Sequence, residues 1–163
     1  MFFRGLYRSR QFFRSVGASI SDDERAEVAH RLSPAQQGLF FAMTVRDQRH
    51  SVDVLRTLME RGQTDGDLLT AALLHDVGKG RIRLWHRVAY VLIRAVSPRL
   101  LLRLTASGRG GLAAIKDHAG RGAALAEAAG ASEEVVRLIR CHEGLGDNAD
   151  PRVAILCAAD EIC

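Results

Sequence analysis

Ala71-Ala72-Leu73-Leu74-His75-Asp76-Val77-Gly78-Lys79 joins an apolar run to an adjacent histidine and aspartate. Leu68 to Leu74 reads as an apolar helix with His75-Asp76 at its end. Val77-Gly78-Lys79-Gly80 then reads as a tight loop, because its paired glycines break the helix. Burying a His-Asp pair at the end of an apolar helix is costly without a partner charge. A divalent cation supplies that charge. Lys79, one turn on, adds a cation where a phosphate can sit.

Outward from this stretch the signals are almost all helical. Ser21 with Glu24 forms a capping box, and that helix ends near Leu32. Ser33, Pro34 and Gln36 start the next one. Its apolar period, through Leu39, Phe40, Met43, Asp47, His50, Val54, Leu58 and Met59, predicts one long helix closed by Gly62. Residues 82–96 read as an Arg-studded helix ended by Ser97-Pro98, and a short helix follows to about Ala106. Residues 107–111 form a Gly-rich loop, and 112–117 carry no clear signal. Helices are expected over 118–129, stopped by Gly130, from Ser132 to Gly144, and over 151–162. No segment alternates with period two. The expectation is an all-α bundle of roughly seven to nine helices with a metal site between them.

Histidine and aspartate from facing helices can converge on one or two divalent ions. The ordered candidates are His50 inside the long helix, His75-Asp76 at a helix end, His118 at a helix start, His142 near a helix end and Asp160 in the last helix. With these residues in this order, the chain from about residue 45 onward resembles the HD superfamily of metal-dependent phosphohydrolases, in its HDIG-type pattern. The matching strings are His75-Asp-Val-Gly-Lys79, His118-Ala-Gly-Arg-Gly-Ala123, Cys141-His-Glu-Gly144 and Ala158-Ala-Asp-Glu161. The resemblance implies that His50, His75, Asp76 and Asp160 hold one metal. It implies that Asp76 bridges to a second, held by His118 and His142. Iron, manganese and zinc all suit such donors, about two ions per chain. Two ions would lower the pKa of a shared water and clamp phosphoryl oxygens. The same resemblance gives Asp76 and Lys79 catalytic roles and makes Lys79 a phosphate contact. Arg49 either orients substrate or faces solvent. Cys141 is either an additional thiolate ligand or inert packing. Glu143 and Glu161 are either outer partners of the ligands or solvated charges. His30 and His86 read as surface residues. The chain lacks the His-His pair and Gly-Tyr-Pro string of the cyclic-di-GMP phosphodiesterase branch, which speaks against that substrate.

The 163 residues suit one domain, able to bury roughly 70% of its unfolded surface. Hydrophobic residues at 47% and charged residues at 26% exclude a disordered or collagen-like chain. Cys141, Cys157 and Cys163 form no CxxC pair and their number is odd, which favours a reducing compartment. There is no stretch of transmembrane length. The expected location is therefore cytoplasmic. The net charge of +4 is unevenly placed. Residues 1–21 carry Arg4, Arg8, Arg10 and Arg14 and no acid, with Phe2, Phe3, Leu6, Phe13 and Val16 on one possible helix face. This basic amphipathic segment either docks on the 22–163 phosphohydrolase domain or contacts a membrane surface. A second acid-free run, between Asp76 and Asp117, holds nine cations and is a solvated face or an anion-facing surface. Within it Trp85, Tyr90, Leu92, Ile93 and Val96 are either core or an interfacial stripe.

The leading expectation is hydrolysis of a nucleotide-type phosphoester or phosphoanhydride, with a small phosphate compound as partner and no stable nucleic-acid complex. One competitor is a nucleotide-sensing module without turnover, against which the full ligand set argues. The other is a peripheral membrane or nucleic-acid binder working through the arginines. Its affinity would fall steeply with salt and would not need the His-Asp pair.

Overall fold

The computed structural model describes residues 19–80, 89–90, 92–93, 95–106, 111–143 and 150–163. The expected N-terminal amphipathic helix lies outside them, as do Arg81, Arg83, Trp85, His86, Arg87, Arg94, Arg109 and residues 144–149. The described residues are helical, with no strand among them.

Helix α1, Asp22–Arg31, starts as expected. The Ser21 hydroxyl accepts from the Glu24 amide, and the Glu24 carboxylate accepts from the Ser21 amide at 2.8 Å. Ile20, just ahead of it, is buried in the core. Helix α2, Pro34–Ala42, opens on the matching Ser33–Gln36 box.

The single long helix expected from residue 34 to 62 is two helices. Met43 is extended (φ −63°, ψ 163°), and α3 is Val45–Glu60 with Thr44 as its N-cap. The Thr44 hydroxyl accepts from the Asp47 amide and donates to the Asp47 carboxylate at 2.6 Å. The buried Gln48 amide donates to the Phe41 and Met43 carbonyls, satisfying the end of α2. The apolar period continues across this corner because both helices bury the same stripe, so period alone does not reveal the break. Thr44→Ala is expected to cost about 1 kcal/mol and lower the thermal midpoint by about 2–4 °C, read from a melting curve.

Helix α4, Gly66–Leu74, is capped by Asp65, whose carboxylate accepts from the Leu68 amide. Leu68, Leu69 and Ala71 to Leu74 are all buried, as befits a helix apolar around its circumference. It is the centre of the bundle, with α1, α2 and α3 packed on it. After it comes a single 3-10 turn, Val77–Lys79.

The second half comprises α5 (Pro98–Thr105), α6 (Gly111–Lys116), α7 (His118–Ala128), α8 (Glu133–Cys141) and α9 (Pro151–Ile162). Helix α6 fills the stretch for which the sequence carried no signal, and α8 stops before the expected Gly144. Gly130, at φ +75°, ends α7 where expected. The Ser132 hydroxyl caps α8 and also donates to Asp67 at 2.8 Å, tying α8 to the start of α4. Helices α8 and α9 both reach α4, α9 also lies along α3, and α7 packs on α8 and on the 3-10 turn. The ends of α4 and α8, the start of α7 and the faces of α3 and α9 therefore meet at one place.

Candidate metal centre

His75 is the C-cap of α4 and is fully buried. Its ring Nδ1–H donates to the Ala72 carbonyl at 2.9 Å. His118, the first residue of α7, donates in the same way to Ile115 at 2.7 Å. His142, the C-cap of α8, does so to Ile139 at 2.6 Å. Each ring is thus fixed by the carbonyl three residues back, which places a proton on Nδ1 and turns Nε2 away from that bond. The three Nε2 atoms turn inward.

Asp76 sits between them, with 1% of its side chain exposed. Its Oδ1 lies 3.5 Å from Nε2 of both His75 and His118, and its Oδ2 lies 4.0 Å from His50 Nε2. His50, on α3, meets Asp160, on α9, at 2.7 Å, and Asp160 Oδ1 is also 3.4 Å from His75 Nε2. His118 and His142 face each other, Nε2 to Nε2, at 3.1 Å. The donor atoms form two groups: His50, His75 and Asp160, and Asp76, His118 and His142. Within each group they lie within 4.8 Å of one another.

The electrostatics are those of a site that demands positive charge. Burial pushes the His75 imidazole down, but the Asp76 and Asp160 carboxylates outweigh it and hold its pKa up at about 9. Burial pushes Asp76 up, yet Lys79, His75 and His50 hold it well below the usual carboxylate range. Asp160 is pulled down similarly, against its own burial, by its bond to His50 and by the nearby His75 imidazole. His142 goes the other way: burial and the charge on His75 lower it to about 4, so it stays neutral at pH 7.

Two buried atoms in this cluster, His75 Nε2 and Asp76 Oδ1, have no hydrogen-bond partner among the described residues. Leaving a buried polar atom unsatisfied costs about 1–3 kcal/mol. Both atoms are metal donors by type, and both face the other donors. The residues present therefore fit divalent cations, and His/Asp donors suit the transition metals.

The other expected site residues divide. Lys79 is at the cluster, its ammonium 2.5 Å from Asp76 Oδ2. Arg49 is turned elsewhere: its terminal nitrogens pair with Glu24 at 2.6 Å and Asp53 at 2.9 Å. Adjacent residues on a helix point about 100° apart, so a ligand at His50 does not carry Arg49 with it. Cys141 joins neither donor group and packs against the core. Glu143 brings its carboxylate within 3.7 Å of His118 Nδ1, while Glu161 is exposed. Sequence reasoning missed Cys157, whose thiol donates to the His142 carbonyl at 2.5 Å and ties α9 to the end of α8. Its spacing three residues before Asp160, on the same face of α9, was the available signal.

The family model for the HD domain matches residues 48–163. The chain belongs to the HD domain family. No curated protein and no solved structure matches it. HD domains are typical of metal-dependent phosphohydrolases and bind divalent metals. In this HD domain the matched region contains all six clustered donors, while α1 and α2 precede it and complete the core around α4. Among the described residues, no helix is long and apolar enough to cross a membrane.

Proposed function

We propose that this HD domain hydrolyses a phosphoester or phosphoanhydride of a nucleotide-type substrate with two divalent transition-metal ions. The observation that carries the reading is the pair of three-donor groups meeting at Asp76, with two buried donor atoms left unpartnered. His50, His75 and Asp160 would hold one ion, His118 and His142 the other, and Asp76 would serve both. Bound there, the ions supply Lewis acidity to a phosphoryl group and activate water as a nucleophile.

The chain does the rest. The three Nδ1–carbonyl bonds hold the imidazoles with Nε2 turned inward before any ligand arrives. Cys157 holds the end of α8 against α9, so His142 and Asp160 keep their spacing. His75, Asp76, His118 and His142 are buried, while His50, Lys79 and Asp160 keep 20%, 20% and 32% of their side chains exposed. Substrate therefore approaches on the side of these three. Lys79, held by Asp76 at that opening, places its ammonium for a phosphoryl oxygen. Arg49 has no part in this, because Glu24 and Asp53 occupy it.

The test is metal analysis joined to a hydrolysis screen. Protein purified without chelator is expected to carry about two transition-metal ions per chain. It is expected to release phosphate or a nucleoside phosphate from at least one of a panel of nucleotides, dinucleoside polyphosphates and cyclic dinucleotides. No bound metal after reconstitution with iron, manganese or zinc overturns the two-metal site. Bound metal with no turnover on any of the panel overturns the hydrolase reading in favour of a sensing module.

A further inference from the structure

The run from Val77 to Lys116 carries nine cations and no acid. Among the described residues of this run Val77 and Leu101 are buried, but five large aliphatic side chains stand in solvent. Leu92 is 59% exposed, Val96 85%, Leu100 47%, Leu102 57% and Leu104 46%. Helix α5 turns Leu101 and Thr105 into the protein, so Leu100, Leu102 and Leu104 share its outer surface with Arg99 and Arg103. Among the described residues, neither arginine meets a carboxylate at ion-pair distance.

A solvated helix face is usually polar, and aliphatic side chains gathered on one short stretch call for a partner. The alternation of leucine and arginine specifies which. Aliphatic side chains suit the acyl boundary of a bilayer, while guanidinium groups reach anionic headgroup phosphates from flexible stems. A nucleic acid would engage the arginines and leave the leucines in water. A second copy of this face would set arginine against arginine. We propose that α5, with the exposed Leu92 and Val96 ahead of it, docks on an anionic lipid surface. Helix α5 packs on α6, which touches both the turn bearing Lys79 and the helix bearing His118. Docking through α5 therefore holds the metal cluster beside the bilayer. This inference does not depend on the hydrolase reading.

The experiment is flotation of the full chain with vesicles of phosphatidylcholine alone and of phosphatidylcholine with phosphatidylglycerol. Two variants accompany it: Arg99→Gln with Arg103→Gln, and Leu100→Ser with Leu102→Ser and Leu104→Ser. The parent is expected to float with the anionic vesicles only. Each variant is expected to bind about tenfold more weakly or worse, since each arginine near an anionic surface and each buried methylene contributes. All these side chains are exposed, so helix content and metal content should match the parent. Three results overturn the proposal: no flotation of the parent, flotation of both variants equal to the parent, or a salt-sensitive oligonucleotide complex or leucine-dependent dimer without vesicle binding.

Discussion

Asp76→Asn is expected to retain the helical fold and lose the chemistry. The exchange preserves shape but removes the charge around which His75, His118, His50 and Lys79 gather within 4.0 Å. Metal-derived stabilisation of a phosphoryl transition state amounts to several kcal/mol, and about 1.4 kcal/mol is tenfold in rate, so hydrolysis should fall at least about 100-fold. Metal content should fall with it, because the same carboxylate is proposed to serve both ions. Far-UV circular dichroism should superimpose on the parent's, since Lys79 is partly exposed and can turn to water when its partner is neutralised. Turnover at the parental rate with unchanged metal content would place the chemistry elsewhere in the chain.

Gly78→Ala should cause the largest loss of stability from one added methyl group. A Cβ there would stand 2.0 Å from the His118 carbonyl oxygen and 2.5 Å from the Gly122 amide nitrogen. Both neighbours are backbone, so no side chain can swing aside. The 3-10 turn and the first turn of α7 would have to separate, and the cost should reach about 3 kcal/mol, the upper end for overpacking. For a chain of this length that lowers the thermal midpoint by about 6–12 °C. The separation also draws Asp76 away from His118, so metal retention should fall together with stability. Gly120→Ala is the control: nothing lies within 4 Å of its Cβ position, and the helical site should gain or hold stability. Equal melting of the Gly78 variant and the parent would show that the turn does not dock as described.

Much of the local structure was legible because its causes are local. The Ser21–Glu24 and Ser33–Gln36 boxes and the Gly130 stop each follow from residues close together in the chain. The break at Thr44 was not, although its cap is just as local. The apolar period runs on through it, and a period reports which face is buried, not whether the helix is continuous. The placement of Arg49 was not legible for a related reason. Adjacency to His50 in sequence suggested a shared site, but the turn of the helix sends it to Glu24.

By itself, the chain order of amino acids determined that this is a helical protein with one His-Asp pair at the end of its most apolar helix. It also set the series of donors that follows the HD pattern. Both are properties of types and spacings along the chain. Only the tertiary structure decided which donors form a group. His50 and Asp160 are 110 residues apart and meet at 2.7 Å because α3 and α9 lie together. His118 reaches Asp76 because two glycines, Gly78 and Gly122, let backbone approach backbone. Such contacts depend on how close separate helices can pack, and no spacing within one helix encodes that distance.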